Sequence, residues 1–286
     1  MRLRTLPLLT AAGLTALFAA GCSASASPSS GSGTGAAPSA TQAIQLAAAH
    51  AQLATSVTAT VSVTGSGTAA MSMSGTLTEQ VRPQLKAEVV LPSVSALGMS
   101  VPGGMTDIVT SQAVYLRMSA LSELTGGKAW LEVPFSSLGK DVQASIGQLI
   151  QQAQDNSPLL QTQLLAGATG VHVVGKTTIG GVPVTEYAGS YQMSTAINRL
   201  PASLRSQVRQ EMSEAGITSA SFTIWLDNQQ QVRKLVVSEH GSAESATVTM
   251  LVTSINQPVS ITIPPASQVA VLPASALSSG SSGSAL

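Results

Sequence analysis

The sequence predicts an α+β fold: one large antiparallel sheet of about ten strands, with helices inserted in mid-chain. Three observations predict it. Apolar residues alternate with Ser, Thr and charged residues over many successive segments, as in strands with one dry and one wet face. Gly and Pro punctuate these segments at short intervals. Between two groups of them lie stretches whose apolar residues recur every three to four positions, the period of a helix. The composition narrows the classes further. Hydrophobic residues make up 44% of the 286, while Asp, Glu, Lys and Arg contribute only 9% and aromatics 3%. With no net charge and no basic clusters, nucleic acid is excluded as a partner. A polytopic membrane protein would need several apolar runs of ~20 residues, and a disordered chain would need low hydrophobicity and high net charge. Cys22 is the single cysteine, so neither an internal disulfide nor a cysteine metal cluster can form.

Arg2 and Arg4 precede an apolar stretch from Leu6 to Ala20, short for a bilayer span and suited to the core of a secretion signal. It ends in Ala19-Ala20-Gly21-Cys22, which resembles the bacterial lipobox, with Ala19 where that pattern prefers Leu. The resemblance implies that Cys22 is the lipid attachment site, carrying a diacylglyceryl thioether and an N-acyl chain. Two or more chains anchor stably where one does not. Residues 1–21 are then a signal peptide, and their loss leaves two more acids than bases. Residues 22–40 continue as a Ser/Gly-rich linker without charge, whose stretch after the cysteine spans roughly 25 Å on average. The folded domain runs over 41–273, and 274–286 form a loose Ser/Gly tail. The expected location is the extracytoplasmic face of the cell membrane, held by the lipid anchor.

Within the domain, Thr41 is placed to cap a first helix reaching Ala54, with Ile44, Ala47, Ala48 and Ala51 on one face. The period then changes to two. Val57, Ala59, Val61 and Val63 share one side, as do Ala69, Met71, Met73 and Leu77, and then Leu85, Ala87 and Val89. Further strands are expected near 106–110, 113–118 and 129–133. Val142, Ile146, Leu149, Ile150 and Ala153 form a single helical stripe, and Ser157-Pro158 reads as the cap and first turn of a short helix bearing Leu159, Leu160 and Leu164. Strands resume over 171–179 and 182–191, joined by Gly180-Gly181, a two-residue hairpin turn. Pro201 opens another helix, with Leu204, Val208 and Met212 on one face. Strands over 217–227, 231–240 and 245–254 follow, with Val259–Ile263 as an edge piece.

No constellation for catalysis emerges, and the expectation is that the protein is not an enzyme. His50, His172 and His240 stand far apart without metal-ligand spacing, and no cofactor is implied. Gly126-Gly127-Lys128 lacks the other residues of a phosphate loop. Ser137-Leu138-Gly139-Lys140 matches Ser-x-x-Lys, but the partner motifs of the serine enzymes that use it are missing. The unusual segment lies between Val89 and Ser122, where Asp107 and Arg117 alone are charged. Inside it, residues 91–105 are apolar, aperiodic and broken by Pro and Gly, and so read as a loop. Such a loop either packs back on the core or forms a lip over an apolar cavity.

From residue 170 onward the order of motifs resembles a known group. Gly181-Val182-Pro183-Val184-Thr185-Glu186-Tyr187 opens a strand, and a helix follows Met193. Phe222-Thr223-Ile224-Trp225-Leu226-Asp227 precedes a polar turn and Val232-Arg233-Lys234-Leu235-Val236-Val237. Pro258–Ala266 closes the series, and Lys128-Ala129-Trp130-Leu131-Glu132-Val133 resembles the group's Gly-Lys-Trp strand. Together these resemble the actinobacterial LppX/LprA/LprF/LprG lipoproteins over nearly all of 41–273. The resemblance implies a curved half-barrel, similar to the periplasmic carrier LolA, with helices packed on its concave face around an apolar cavity for acyl chains. It further implies a lipid or glycolipid ligand that is carried or transferred, with a membrane transporter as a further candidate partner. Leu91, Val94, Leu97, Met99 and Met105 of the apolar segment are candidate cavity residues. Ile146, Leu149, Ile150, Leu160 and Leu164 of the helices complete the set. The alternative is a non-catalytic envelope sensor or scaffold that binds a protein partner through the same fold.

Overall fold

The computed structural model describes residues 38–67, 70–96, 99–123, 125–139, 143, 165–198, 205–206, 209–210, 212–213, 216–242 and 244–272. The alternating segments among them become β1 (Ser56–Gly67), β2 (Met71–Gln80), β3 (Lys86–Ala96), β4 (Met99–Ser100), β5 (Met105–Thr110), β6 (Ala113–Met118) and β7 (Trp130–Pro134). The second group comprises β8 (Thr169–Ile179), β9 (Val182–Gln192), β10 (Ser219–Asp227), β11 (Val232–His240), β12 (Glu244–Ile255) and β13 (Val269–Val271). They form one large, open, curved sheet in the order β13-β7-β6-β5-β3-β2-β1-β12-β11-β10-β9-β8, with β4 beside β3. Thirteen strands among the described residues exceed the ten expected, and the sheet is mixed, since β13 runs parallel to β7.

Helix α1 (Ala40–Leu53) starts at a capping box in which the Ser39 hydroxyl accepts from the Gln42 backbone N–H and the Gln42 side chain accepts from the Ser39 N–H, 3.3 and 2.9 Å. The reciprocal pair satisfies two orphan donors, so Ser39 is the cap and not Thr41. Ala43, Ile44, Ala47 and Ala51 bury against Val57, Ala59, Ile224, Leu226 and Leu235, and the face of the sheet toward α1 is called inner below. A short helix, α2 (Met193–Ile197), follows β9. Positions 205–206, 209–210 and 212–213 are helical, within the helix expected after Pro201. The apolar stripe from Val142 to Ala153 and the helix after Pro158 lie outside the described residues, apart from the helical position 143. The Gly180-Gly181 turn is present, with φ of 56° and 82°, values that match the twist of a tight hairpin.

Two further expectations are corrected. Residues 91–96 are strand, continuous with Lys86, and the register between β2 and β3 slips between Ser74 and Thr76. Pro92 sits at this bulge, where a missing N–H breaks no ladder bond. A Cβ on Gly75 would overlap the Val90 carbonyl oxygen and lie 2.9 Å from the Leu91 side chain, so the bulge depends on glycine there. The Pro that signals a loop in the sequence is accommodated by a glycine on the neighbouring strand. Nor does Val259–Ile263 add an edge strand. Flanked by Pro258 and Pro264-Pro265, this segment crosses the outer face, where Ile261 buries with Ile108, Trp130 and Val269. The chain then pairs as β13, tied by Lys128 Nζ to Val269 O and by Leu272 N to Glu132 O, both 2.8 Å. Returning over the outer face is what makes β13 parallel.

Candidate functional site

Strand alternation sorts the side chains of β1–β7 cleanly. Register pairs Ala59 with Leu77, Leu77 with Val89, Val89 with Asp107, and Asp107 with Leu116, so all five share the inner face. On this face Val63, Met73 and Leu91 are buried, and Val61, Met71, Val89, Val94, Met105 and Val248 pack around them while only partly buried. Three of the expected cavity residues, Leu91, Val94 and Met105, are thus brought together, as parts of paired strands and not of a loop. Met99 lies in β4 opposite Ala96. Leu97, Ile146, Leu149, Ile150, Leu160, Leu164 and Cys22 fall outside the described residues.

Two acids stand in this apolar setting. Glu79 faces inward opposite Val57 and Ala87, and Asp107 opposite Val89 and Leu116. They are 5% and 8% exposed. Among the described residues, Glu79 Oε2 and Asp107 Oδ1 find no hydrogen-bond partner. Burial disfavours the charged form and pushes the Glu79 carboxyl up to about 7 and that of Asp107 to about 6. Strand phase could have revealed both, since Glu79 follows Met73 and Leu77 on the dry side and Asp107 follows Met105. The outer face of the same strands carries Lys86, Glu88, Arg117 and Glu132, with the Arg117 guanidinium 5.0 Å from the centre of the Trp130 ring.

At the other end of the sheet, a shallow groove of about 370 Å³ opens on the outer face of β8–β11, lined among others by His172, Ala188, Ser190, Ser221, Thr223 and Ser238. It borders the edge strand β8, where Val173 and Val174 are 54% and 53% exposed. The charged pair nearby is structural. Asp227 accepts from Arg233 Nε and a terminal guanidinium nitrogen at 2.9 and 2.7 Å, and from the N–H groups of Gln229 and Gln231. It closes the polar turn between β10 and β11. Among the described residues no three His, Cys, Asp or Glu side chains are placed to hold a metal ion. No helix among them is long and apolar enough to cross a membrane.

No family model matches the sequence. An uncharacterised 31.2 kDa protein from the rplA-rplJ intergenic region of Streptomyces griseus is 30% identical over 111 residues, 38% of this chain. The chain spans only 36% of that relative's length. Among solved structures, LprF from Mycobacterium bovis is similar over 79% of this chain and 96% of its own, with a TM-score of 0.49 and 15% identity. The Mycobacterium tuberculosis lipoprotein LppX is similar over 78% and 98%, with a TM-score of 0.44 and 14% identity. Both are members of the group that the sequence motifs resemble.

Proposed function

We propose that the protein is a lipid-anchored, extracytoplasmic lipoprotein that shelters the acyl chains of an envelope lipid or glycolipid on the inner face of its sheet and carries them. The observation that carries this reading is the patch around Leu91. Val61, Met71, Val89, Val94 and Met105 remain partly exposed beside a buried apolar centre, on the side of the sheet where a water-soluble protein ordinarily completes its core. Several hundred Å² of lipid surface shielded at ~25 cal/mol per Å² would offset much of the work of leaving a bilayer. Such a site needs volume and dryness, with few polar groups to orient the ligand. Methionines 71, 73 and 105 suit a ligand whose chains vary, because their side chains adapt at little strain. Acylation of Cys22 would hold the carrier at the membrane from which it loads.

The test is mass spectrometry of lipids that co-purify with a secreted Cys22→Ala form from an actinobacterial host, together with uptake of a fluorescent lipid in vitro. Stoichiometric bound lipid is expected. Protein free of lipid that takes up no probe overturns the carrier. A second reading, a scaffold for a protein partner, is favoured by one observation: β8 is an open edge with Val173 and Val174 exposed beside a groove. Pull-down from envelope extracts that yields a stoichiometric protein in place of lipid would support it.

A further inference from the structure

A buried carboxyl group normally finds a partner, because an unpaired one loses hydration without compensation. On the inner face of β2–β7 two such groups, Glu79 and Asp107, each keep an unpartnered oxygen. The described residues of these strands place no Lys, Arg or His on that face; Lys86 and Arg117 take the outer register positions. Glu239 of β11 adds a third acid on the inner side, opposite Ala220 and Ala246. A face built only to pack would carry apolar residues at 79 and 107. A face built for an anionic headgroup would carry bases. The arrangement present is apolar, uncompensated by positive charge, and equipped with oxygens awaiting a hydrogen bond.

We propose that Glu79 and Asp107 are specificity-determining residues of the lipid site: they accept lipids whose buried end is electroneutral and hydrogen-bonding, and reject lipids that bring an anionic group. This rests on the carrier reading above and names its ligand class. A hydroxyl at the junction of the acyl chains donates to a carboxylate oxygen, and an ester carbonyl accepts from a protonated carboxyl. A phosphate at the same place meets a like charge in a medium that screens poorly, with no Lys, Arg or His among the described residues of β2–β7 on that face to offset it. Asp107 lies two positions from Met105, and Val89, its cross-strand neighbour, two from Leu91. The Asp107 contact therefore falls at the border of the apolar patch, and Glu79, opposite Val57, stands where the patch meets the surface sealed by α1.

The experiment uses the secreted, delipidated full chain with Cys22→Ala and two fluorescent probes of identical acyl chains, a diacylglycerol and a phosphatidic acid. At neutral pH the unsubstituted site should bind the diacylglycerol at least tenfold more tightly. Asp107→Asn and Glu79→Gln keep the shape and remove the ionisable group, so each should raise phosphatidic acid affinity severalfold and narrow the ratio. A gain in binding cannot come from a variant that fails to fold. Equal affinities without substitution, or a preference for phosphatidic acid, overturn the proposal while leaving the carrier intact, as do amide variants that gain nothing. Binding of neither probe overturns the carrier reading and this assignment with it.

Discussion

Under α1, Ile224, Leu226, Val232 and Leu235 have at most 1% of their surface exposed. Four to six strands away, Val89, Val94 and Met105 face the same side of the same sheet and are only partly buried. Both wings are written in the same two-residue period, so alternation cannot explain the contrast. The cover does. An alanine-rich helix face lets α1 lie close on one wing, whereas β5–β7 of the other are covered on the opposite side by the segment around Ile261. The first wing is sealed from within. The second is braced from without, and its inner apolar residues stay partly exposed.

Truncating one side chain on each wing is the sharpest way to break that comparison. Leu226→Ala should lose about 4 kcal/mol in urea unfolding, since a fully buried leucine leaves a cavity. Val94→Ala should lose under about 1 kcal/mol. Equal losses would mean that the two wings are sealed alike. Next in size is the effect of Glu79. Its carboxyl titrates near 4.5 in the unfolded chain and near 7 when folded. The folded state therefore holds the proton longer, and stability falls as pH rises between those values. The loss is on the order of 3 kcal/mol. Chemical denaturation across pH 4 to 8 should show this slope, and Glu79→Gln should flatten it. Asp227→Ala in the sealed wing should cost about 2 kcal/mol, because it leaves two turn N–H groups and the Arg233 guanidinium without their acceptor. Smallest is Val173→Lys on the open edge, where unfolding should change by less than about 0.5 kcal/mol. If the edge carries a protein partner, the same lysine should abolish its capture.

The sequence made the strands legible because Ser and Thr mark the wet face so regularly. It made the Gly180-Gly181 hairpin legible through turn chemistry alone. Residues 91–96 were hidden by Pro92, whose place in a strand depends on Gly75 across the ladder, a long-range fact that no local window contains. β13 was hidden for a different reason: three residues give no period, and parallel pairing after a long return has no local signature. Of the site, Leu91, Val94 and Met105 are legible as apolar residues, but the local pattern alone reads their segment as a loop. Glu79 and Asp107 were readable by phase. What the pattern hides is that each keeps an oxygen without a partner among the described residues, since that depends on what the opposite strands bring.

The join between β1 and β12 sets an order of events. These strands pair over most of their length at the middle of the sheet, and Thr253 donates to the carbonyl of Thr58 from 195 residues away. A chain emerging amino end first must keep β1 unmatched on one side until nearly all of it has been delivered. Sequence-distant pairing of this kind delays the final collapse. The early meander β1–β7 is meanwhile a half-finished sheet with an open flank, the form in which a helper that binds unpaired strands would meet it.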